Sequence, residues 1–115
     1  MYIMQISDIQ KWERDFSLRK GIAQDEEKSL KIAVLKLSEE VGEVCKAILE
    51  KKWEEVPAEV TDIIVFACKI ANIAEDFHGV EKLEDVLKKK LEYSEKRTYN
   101  PEINKMDKPV NKDFK

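Results

Sequence analysis

Four carboxylates lie where helices should pack against their neighbours rather than face solvent. Glu40 and Glu43 stand three residues apart in one long helical segment, and Glu59 and Asp62 repeat that spacing in the next. Side chains three residues apart share a helix face, so each segment presents a pair of acids. Carboxylates in such a place are costly unless they are paired or bind a cation. Lys36, one turn before Glu40, could supply a pair, but four converging acids favour a hard divalent cation.

The metal expected at these acids is Mg²⁺, with Mn²⁺ as an alternative. Mg²⁺ binds oxygen ligands, typically a few carboxylates together with water and substrate phosphate oxygens. No histidine or cysteine accompanies the four acids, which argues against zinc. For Glu59 taken alone, an equally good interpretation is an acid that complements the dipole at the start of a helix.

The composition predicts the fold class that must position these acids, a small all-α domain of about four helices. Of 115 residues, 39% are charged and 43% are apolar, so the chain has enough apolar surface to form a core. Only three glycines and three prolines are present, so turns are few and elements long, which argues against a β-sandwich or barrel. The net charge of −3 provides no basic field for binding nucleic acid.

Apolar spacing and capping residues locate the helices. Ser7 and Asp25 are the expected N-caps of the first two, and Gly79 is the glycine expected to end the third. The predicted helices span about residues 8–19, 26–52, 57–78 and 81–97. The expected packing face of the first helix carries Ile9, Trp12 and Phe16. The apolar stripe of the second runs at heptad-like spacing through Leu30, Val34, Leu37, Val41, Val44 and Ile48.

The third helix predicts a partner subunit. Between Ile63 and Ala74 it is apolar around most of its circumference, and such a helix must be covered on several sides. We therefore expect a homo-oligomer, a dimer or a tetramer, whose bundle is completed across a dimer interface. The predicted domain spans residues 1–97, and residues 98–115 form an irregular C-terminal tail.

Cysteine usage and hydropathy predict a cytoplasmic protein without membrane or nucleic-acid partners. Cys45 and Cys68 lie in apolar helical surroundings and are interpreted as buried thiols of a reducing compartment. A signal peptide has a positively charged segment followed by an apolar one, and the first residues of the sequence do not show this pattern. The longest mostly apolar run has about 12 residues, which is short for a membrane span.

The acidic residues also carry a family resemblance. The segment LSEEVGEVCKAI at 37–48, followed by EVTD at 59–62, resembles the E-E-x-x-E and E-x-x-D signature of the MazG-like all-α nucleoside triphosphate pyrophosphohydrolases. The resemblance covers about residues 8–97. It implies Mg²⁺-dependent hydrolysis of (deoxy)nucleoside triphosphates to monophosphate and pyrophosphate, as in nucleotide-pool house-cleaning. The implied metal ligands are Glu40, Glu43, Glu59 and Asp62, and the implied catalytic residues are Glu39 and Glu40, with Glu39 assisting or orienting a water.

The resemblance also implies substrate-binding residues. Lys90, Ser94 and Arg97 follow the family's closing pattern at i, i+4 and i+7, with Ser94 in place of the family's asparagine. On one face of the fourth helix they would hold the polyphosphate; the alternative is a solvated basic helix end. Trp12 would stack on the base, although a tryptophan at helical spacing is more often in a core. Asn72 in the apolar third helix needs a partner, either across a dimer or in the substrate.

Two rival functions remain open at this stage. A phosphoribosyl-ATP pyrophosphatase has a related fold and acidic cluster. A non-catalytic helical interaction or regulatory module would leave the acids solvated or paired with lysines.

Overall fold

The computed structural model describes residues 4–107, and helices make up most of that part of the chain. The predicted all-α class is confirmed, with a small hairpin near the end. The helices are α1 Ile6–Arg19, α2 Glu26–Leu49, α3 Val56–His78 and α4 Leu83–Glu95, with a 3₁₀ turn at Trp53–Glu55. The strands are β1 Tyr99–Asn100 and β2 Lys105–Met106.

Local capping interactions explain where α2 and α3 begin and end. The Asp25 carboxylate accepts a hydrogen bond from the Lys28 N–H at 3.0 Å, which stabilises the start of α2 by about 1 kcal/mol. Pro57 occupies the first turn of α3, where its missing N–H costs nothing. Gly79 ends α3 in the left-handed conformation at φ 59°, and its N–H donates to the Glu75 carbonyl at 3.1 Å. The predicted caps Asp25 and Gly79 are confirmed.

The start of α1 differs from the prediction. The N-cap is Gln5 rather than Ser7, so the helix begins at Ile6. The Asp8 carboxylate accepts a hydrogen bond from the Gln5 N–H at 2.8 Å, and this closes a capping box two residues earlier than expected. The predicted N-cap Ser7 is wrong, because Ser7 lies within the first turn of α1.

The first compact unit, which ends at Val80, is arranged around α3, with both α1 and α2 packed against it. The row of α2 that faces inward contains Ala33 and Ala47, whose small side chains allow close approach of the helices. The predicted stripe of α2 lies beside this row and is largely exposed in the single chain. Its exposed members are Leu30, Val34, Val41 and Ile48.

The second compact unit begins at Glu81 and contains α4 and the hairpin. In the hairpin, Tyr99 pairs with Met106 and Asn100 with Lys105 in antiparallel register. The tail predicted as irregular therefore has local structure over its described part, while residues 108–115 lie outside the described residues. The predicted extent of the domain, residues 1–97, remains a prediction.

Both cysteines are free thiols, and only one of them is buried. Burial raises the pKa of the Cys68 thiol, and the charges of Glu13 and Glu75 raise it further. Cys45 is exposed, so the prediction that it is buried is wrong for the single chain. None of the helices in the described range combines the length and apolar character needed to cross a bilayer.

Candidate active site

Helices α2 and α3 bring three of the predicted acidic residues together. Glu40 on α2 faces Glu59 and Asp62 on the first turns of α3, and one carboxylate oxygen of each lies within 4.8 Å of the others. We call these three residues the acidic cluster. The short connection at 50–55 returns α3 alongside α2, so the end of one helix and the start of the next lie side by side. Glu40 and Glu59 are half-buried, and Asp62 is exposed.

The electrostatics of the acidic cluster are those of like charges held together. The pKa of Glu40 is raised by partial burial, by a hydrogen bond with the Glu59 carboxyl and by the negative charges of Asp62, Glu59 and Glu39. Within residues 4–107, no ion pair involves a member of the cluster. Lys36, the alternative partner of Glu40, pairs with Glu39 instead, at 3.2 Å. The hydrogen bond with Glu59 favours the protonated form of Glu40, and this offsets some of the repulsion.

The donor set of the acidic cluster fits a hard divalent cation. It offers three carboxylate oxygens within reach of one ion, which is the chemistry that Mg²⁺ and Mn²⁺ prefer. Glu43, the fourth predicted ligand, lies one turn further along α2, is exposed and is not among the three clustered residues. Its role as a ligand therefore remains a prediction.

A cavity of about 480 Å³ lies between α1 and the first turns of α3. Thr61, the neighbour of Asp62, lines it together with side chains of both helices. Trp12 forms part of its wall, is 46% exposed and stacks on Phe16 with ring centroids 4.7 Å apart. The other lining residues are Met4, Asp8, Ile9, Ile64 and Val65. The predicted base-stacking residue thus stands at an apolar cavity and not in a closed core.

Asn72 lies away from the acidic cluster, in the contact between α1 and α3. Its side chain is buried, with 2% of its surface exposed. The Asn72 amide donates to the Gln10 carbonyl at 2.9 Å and to Glu13 Oε1 at 2.8 Å, and its oxygen accepts from the Gln10 amide at 2.9 Å. The partner that this asparagine requires is therefore supplied within the chain, and its predicted contact with substrate is untested.

The predicted phosphate-binding residues lie in the second unit and do not all belong to one helix. Lys90 and Ser94 are exposed on α4, but α4 ends at Glu95, so Arg97 lies beyond it. The Arg97 guanidinium donates to the Met106 carbonyl at 2.8 Å and to the Asp107 carbonyl at 3.1 Å. The prediction of a single helical face is therefore wrong for Arg97, because the helix stops and this side chain fastens the hairpin.

The structure also shows a polar contact between α1 and α3 that was not predicted from the sequence. The row Gln10, Glu13 and Ser17 is the buried row of α1, and it meets Lys69 and Asn72 of α3. One feature of the sequence indicated this contact, since Lys69 and Asn72, three residues apart, interrupt the apolar run of α3. The matching i, i+3, i+7 polar row of α1 resembled an ordinary solvated face.

Comparison with known proteins identifies the part of the chain that holds the acidic cluster. The family model of the MazG nucleotide pyrophosphohydrolase domain matches residues 28–100. The match covers all three cluster residues and leaves α1 outside it. No curated protein and no solved structure matches the chain.

Proposed function

The chain belongs to the MazG nucleotide pyrophosphohydrolase family, and from that premise we propose that it hydrolyses (deoxy)nucleoside triphosphates to the monophosphate and pyrophosphate in a reaction that depends on Mg²⁺. A role in clearing unwanted nucleotides from the pool is part of the proposal. The observation that supports it best is the convergence of Glu40, Glu59 and Asp62 within 4.8 Å.

The residues proposed to hold the cation are the acidic cluster, with Glu43 as a fourth ligand. A cation at this place neutralises phosphate charge and activates the attacking water. Glu40 would hold such a cation as a carboxylate, since a bound cation would offset the repulsion by the neighbouring carboxylates that raises the pKa of Glu40. Glu39 is proposed to orient the water, since it directly precedes Glu40 in the chain and its negative charge raises the pKa of Glu40.

The cavity between α1 and α3 is proposed to receive the base. Its walls are largely apolar, and Trp12 offers an exposed aromatic face for stacking. Lys90, Ser94 and Arg97 are proposed to bind the polyphosphate, because a guanidinium and an ammonium both form charge-assisted bonds with phosphate. Arg97 would then exchange its bonds to the hairpin carbonyls for bonds to phosphate oxygens.

A homodimer or homotetramer is proposed as the working form. The outer side of α2 exposes large apolar side chains, such as Leu35 at 63% and Leu49 at 82%. Exposing so many apolar side chains along one helix is unfavourable in free energy for a monomer, and a second copy could cover them. Sedimentation equilibrium measures the oligomeric state directly.

Pyrophosphate release across the canonical NTPs and dNTPs, with and without Mg²⁺, tests the proposed function. The expected result is Mg²⁺-dependent turnover of one or more of them. Phosphoribosyl-ATP belongs in the same panel, since its preferential turnover would assign the chain to the histidine-biosynthesis reaction instead. No metal-dependent turnover and no metal-dependent nucleotide binding would indicate a non-catalytic module.

A further inference from the structure

Helix α1 packs on α3 with its polar side inward. Glu13 is 5% exposed and Lys69, opposite it, is 6% exposed, whereas Trp12 on the neighbouring row of α1 is nearly half exposed. An amphipathic helix ordinarily buries its apolar row. The expectation that Ile9, Trp12 and Phe16 form the packing face of α1 is therefore wrong, since the row that faces α3 is polar.

The buried contact combines hydrogen bonds with the Lys69–Glu13 ion pair, and Gln10 connects it to Glu75, which pairs with Arg14. We call it the α1–α3 polar network. Asn72 bonds to both Gln10 and Glu13, and the Lys69 ammonium lies 3.2 Å from Ser17 Oγ and 3.6 Å from Glu13 Oε2. Ser17 also donates to the Glu13 carboxylate. In the described part of the chain, no buried side-chain polar atom lacks a hydrogen-bond partner.

Such a contact permits few orientations of α1. Apolar side chains tolerate small rotations of a helix, because dispersion contacts have little directionality. Here, a rotation that moved Glu13 away from Lys69 and Asn72 would leave a charge and an amide buried without partners, which is strongly unfavourable. A single buried polar contact fixes register in coiled coils by the same principle.

The orientation of α1 decides which of its side chains line the cavity between α1 and α3. With Gln10 and Glu13 turned toward α3, the adjoining row places Ile9 and Trp12 at the cavity that Thr61 also lines. We propose that the α1–α3 polar network is a positioning device, which fixes the rotation of α1 and thereby holds the α1 wall of the substrate pocket. This inference rests on the proposed function. The network residues touch no substrate in this account and act through Trp12.

The test uses Trp12 as an internal reporter. In the parent variant Trp53→Phe, Trp12 is the remaining one of the two tryptophans, so its fluorescence lifetimes report how uniformly it is held. The apolar variant replaces the network by side chains of similar size. Its substitutions are Gln10→Leu, Glu13→Met, Ser17→Ala, Lys69→Met and Asn72→Leu. Apolar replacement of a buried ion pair often preserves or raises stability, so this variant separates orientation from folding.

Two further variants complete the comparison. The neutral variant Glu13→Gln with Lys69→Met keeps the oxygen that accepts from Asn72 and removes both charges, so it is expected to behave as the parent does. The control Glu50→Gln with Lys52→Met removes an exposed ion pair of 3.6 Å on the same compact unit. Should the apolar variant fail to fold, Asn72→Ala takes its place with the same expected outcome.

The expected result for the apolar variant is a broadened set of Trp12 lifetimes and a KM for the nucleotide raised about tenfold, with kcat changed less than about threefold. Lifetimes like those of the parent, or an unchanged KM, would overturn the inference. A parent without turnover on any nucleotide overturns the proposed function instead, and the lifetimes alone then decide whether the network sets α1.

Discussion

Helix α3 carries polar side chains into two contacts whose charge arrangements are opposite. Toward α2, Glu59 and Asp62 meet a third acid, Glu40, without a cation from the described residues. Toward α1, Lys69 meets Glu13, and amide and hydroxyl groups complete the bonds. Both contacts place costly groups at a helix interface, but the chain balances only one of them.

The difference separates a structural contact from a candidate site. A balanced network is satisfied by the protein alone and therefore serves packing and orientation. Like charges held together by the fold are satisfied only by something added, either protons or a cation. The raised pKa of Glu40 is the sign of that deficit, and its causes are partial burial and the neighbouring carboxylates.

The largest expected effect is the loss of turnover when the acidic cluster loses one charge. Glu40→Gln retains the size of the side chain and removes a ligand that bears charge. We expect kcat for pyrophosphate release to fall on the order of a thousandfold, with the far-UV circular dichroism unchanged. Glu50→Gln, an exposed acid at the end of α2, is the matched control and should retain activity. Comparable rates in Glu40→Gln and the control would remove the cluster from the mechanism.

The next effect concerns stability and belongs to the other contact. Lys69→Met leaves the Glu13 carboxylate buried without its cation, so we expect a loss of about 3–5 kcal/mol in the free energy of unfolding. Urea denaturation measures it. Lys52→Met breaks an exposed pair with Glu50 and should cost about 1 kcal/mol or less. Equal losses of unfolding free energy in Lys69→Met and Lys52→Met would show that the buried pair contributes no more to stability than the exposed one.

A smaller effect is expected at the cavity wall. Trp12→Ala removes the aromatic surface proposed to stack on the base, so KM for the nucleotide should rise about tenfold while kcat changes less. Steady-state kinetics on the best substrate of the panel provides the measurement. Trp53→Ala, at the other tryptophan and outside this cavity, is the control. A KM that is insensitive to Trp12→Ala would place the base elsewhere.

The smallest effect is the pH dependence of the metal-free protein. Because the folded-state pKa of Glu40 lies above its ordinary value of 4.5, the folded state binds this proton more tightly than the unfolded state. The resulting stabilisation is fully present below the ordinary value and is lost as pH rises through the higher folded-state value. Glu40→Gln should therefore flatten the decline of Tm as pH rises above the ordinary value of 4.5, in a series of thermal unfolding scans. A decline identical to that of the wild type would assign it to other groups.

Much of this architecture was accessible from the sequence because it depends on local chemistry. Asp25 caps α2 and Gly79 ends α3 as their residue types predict. Glu40, Glu59 and Asp62 met as predicted, because helical spacing and a short connection suffice to bring them together.

The errors arose where the outcome depends on a partner outside the local segment. The apolar row of α1 indicated a packing face, yet Lys69 and Asn72 on α3 select the polar row instead. Arg97 falls beyond the end of α4, where it binds the hairpin carbonyls, and no helical periodicity reports that contact. The apolar stripe of α2, which includes Val34 and Val41, was expected to be buried but is exposed in the single chain. Periodicity predicts that such a stripe is buried, but it does not tell whether the same chain or a second copy covers it.

Titration calorimetry with Mg²⁺ and a non-hydrolysable nucleotide measures whether the acidic cluster binds a metal ion together with substrate. We expect metal-dependent binding to the wild-type protein and its loss in Asp62→Asn, with normal binding in Glu50→Gln and in the neutral variant Glu13→Gln with Lys69→Met. Binding that persists undiminished in Asp62→Asn, or that never depends on the metal, would contradict the assignment of the acidic cluster as the metal site.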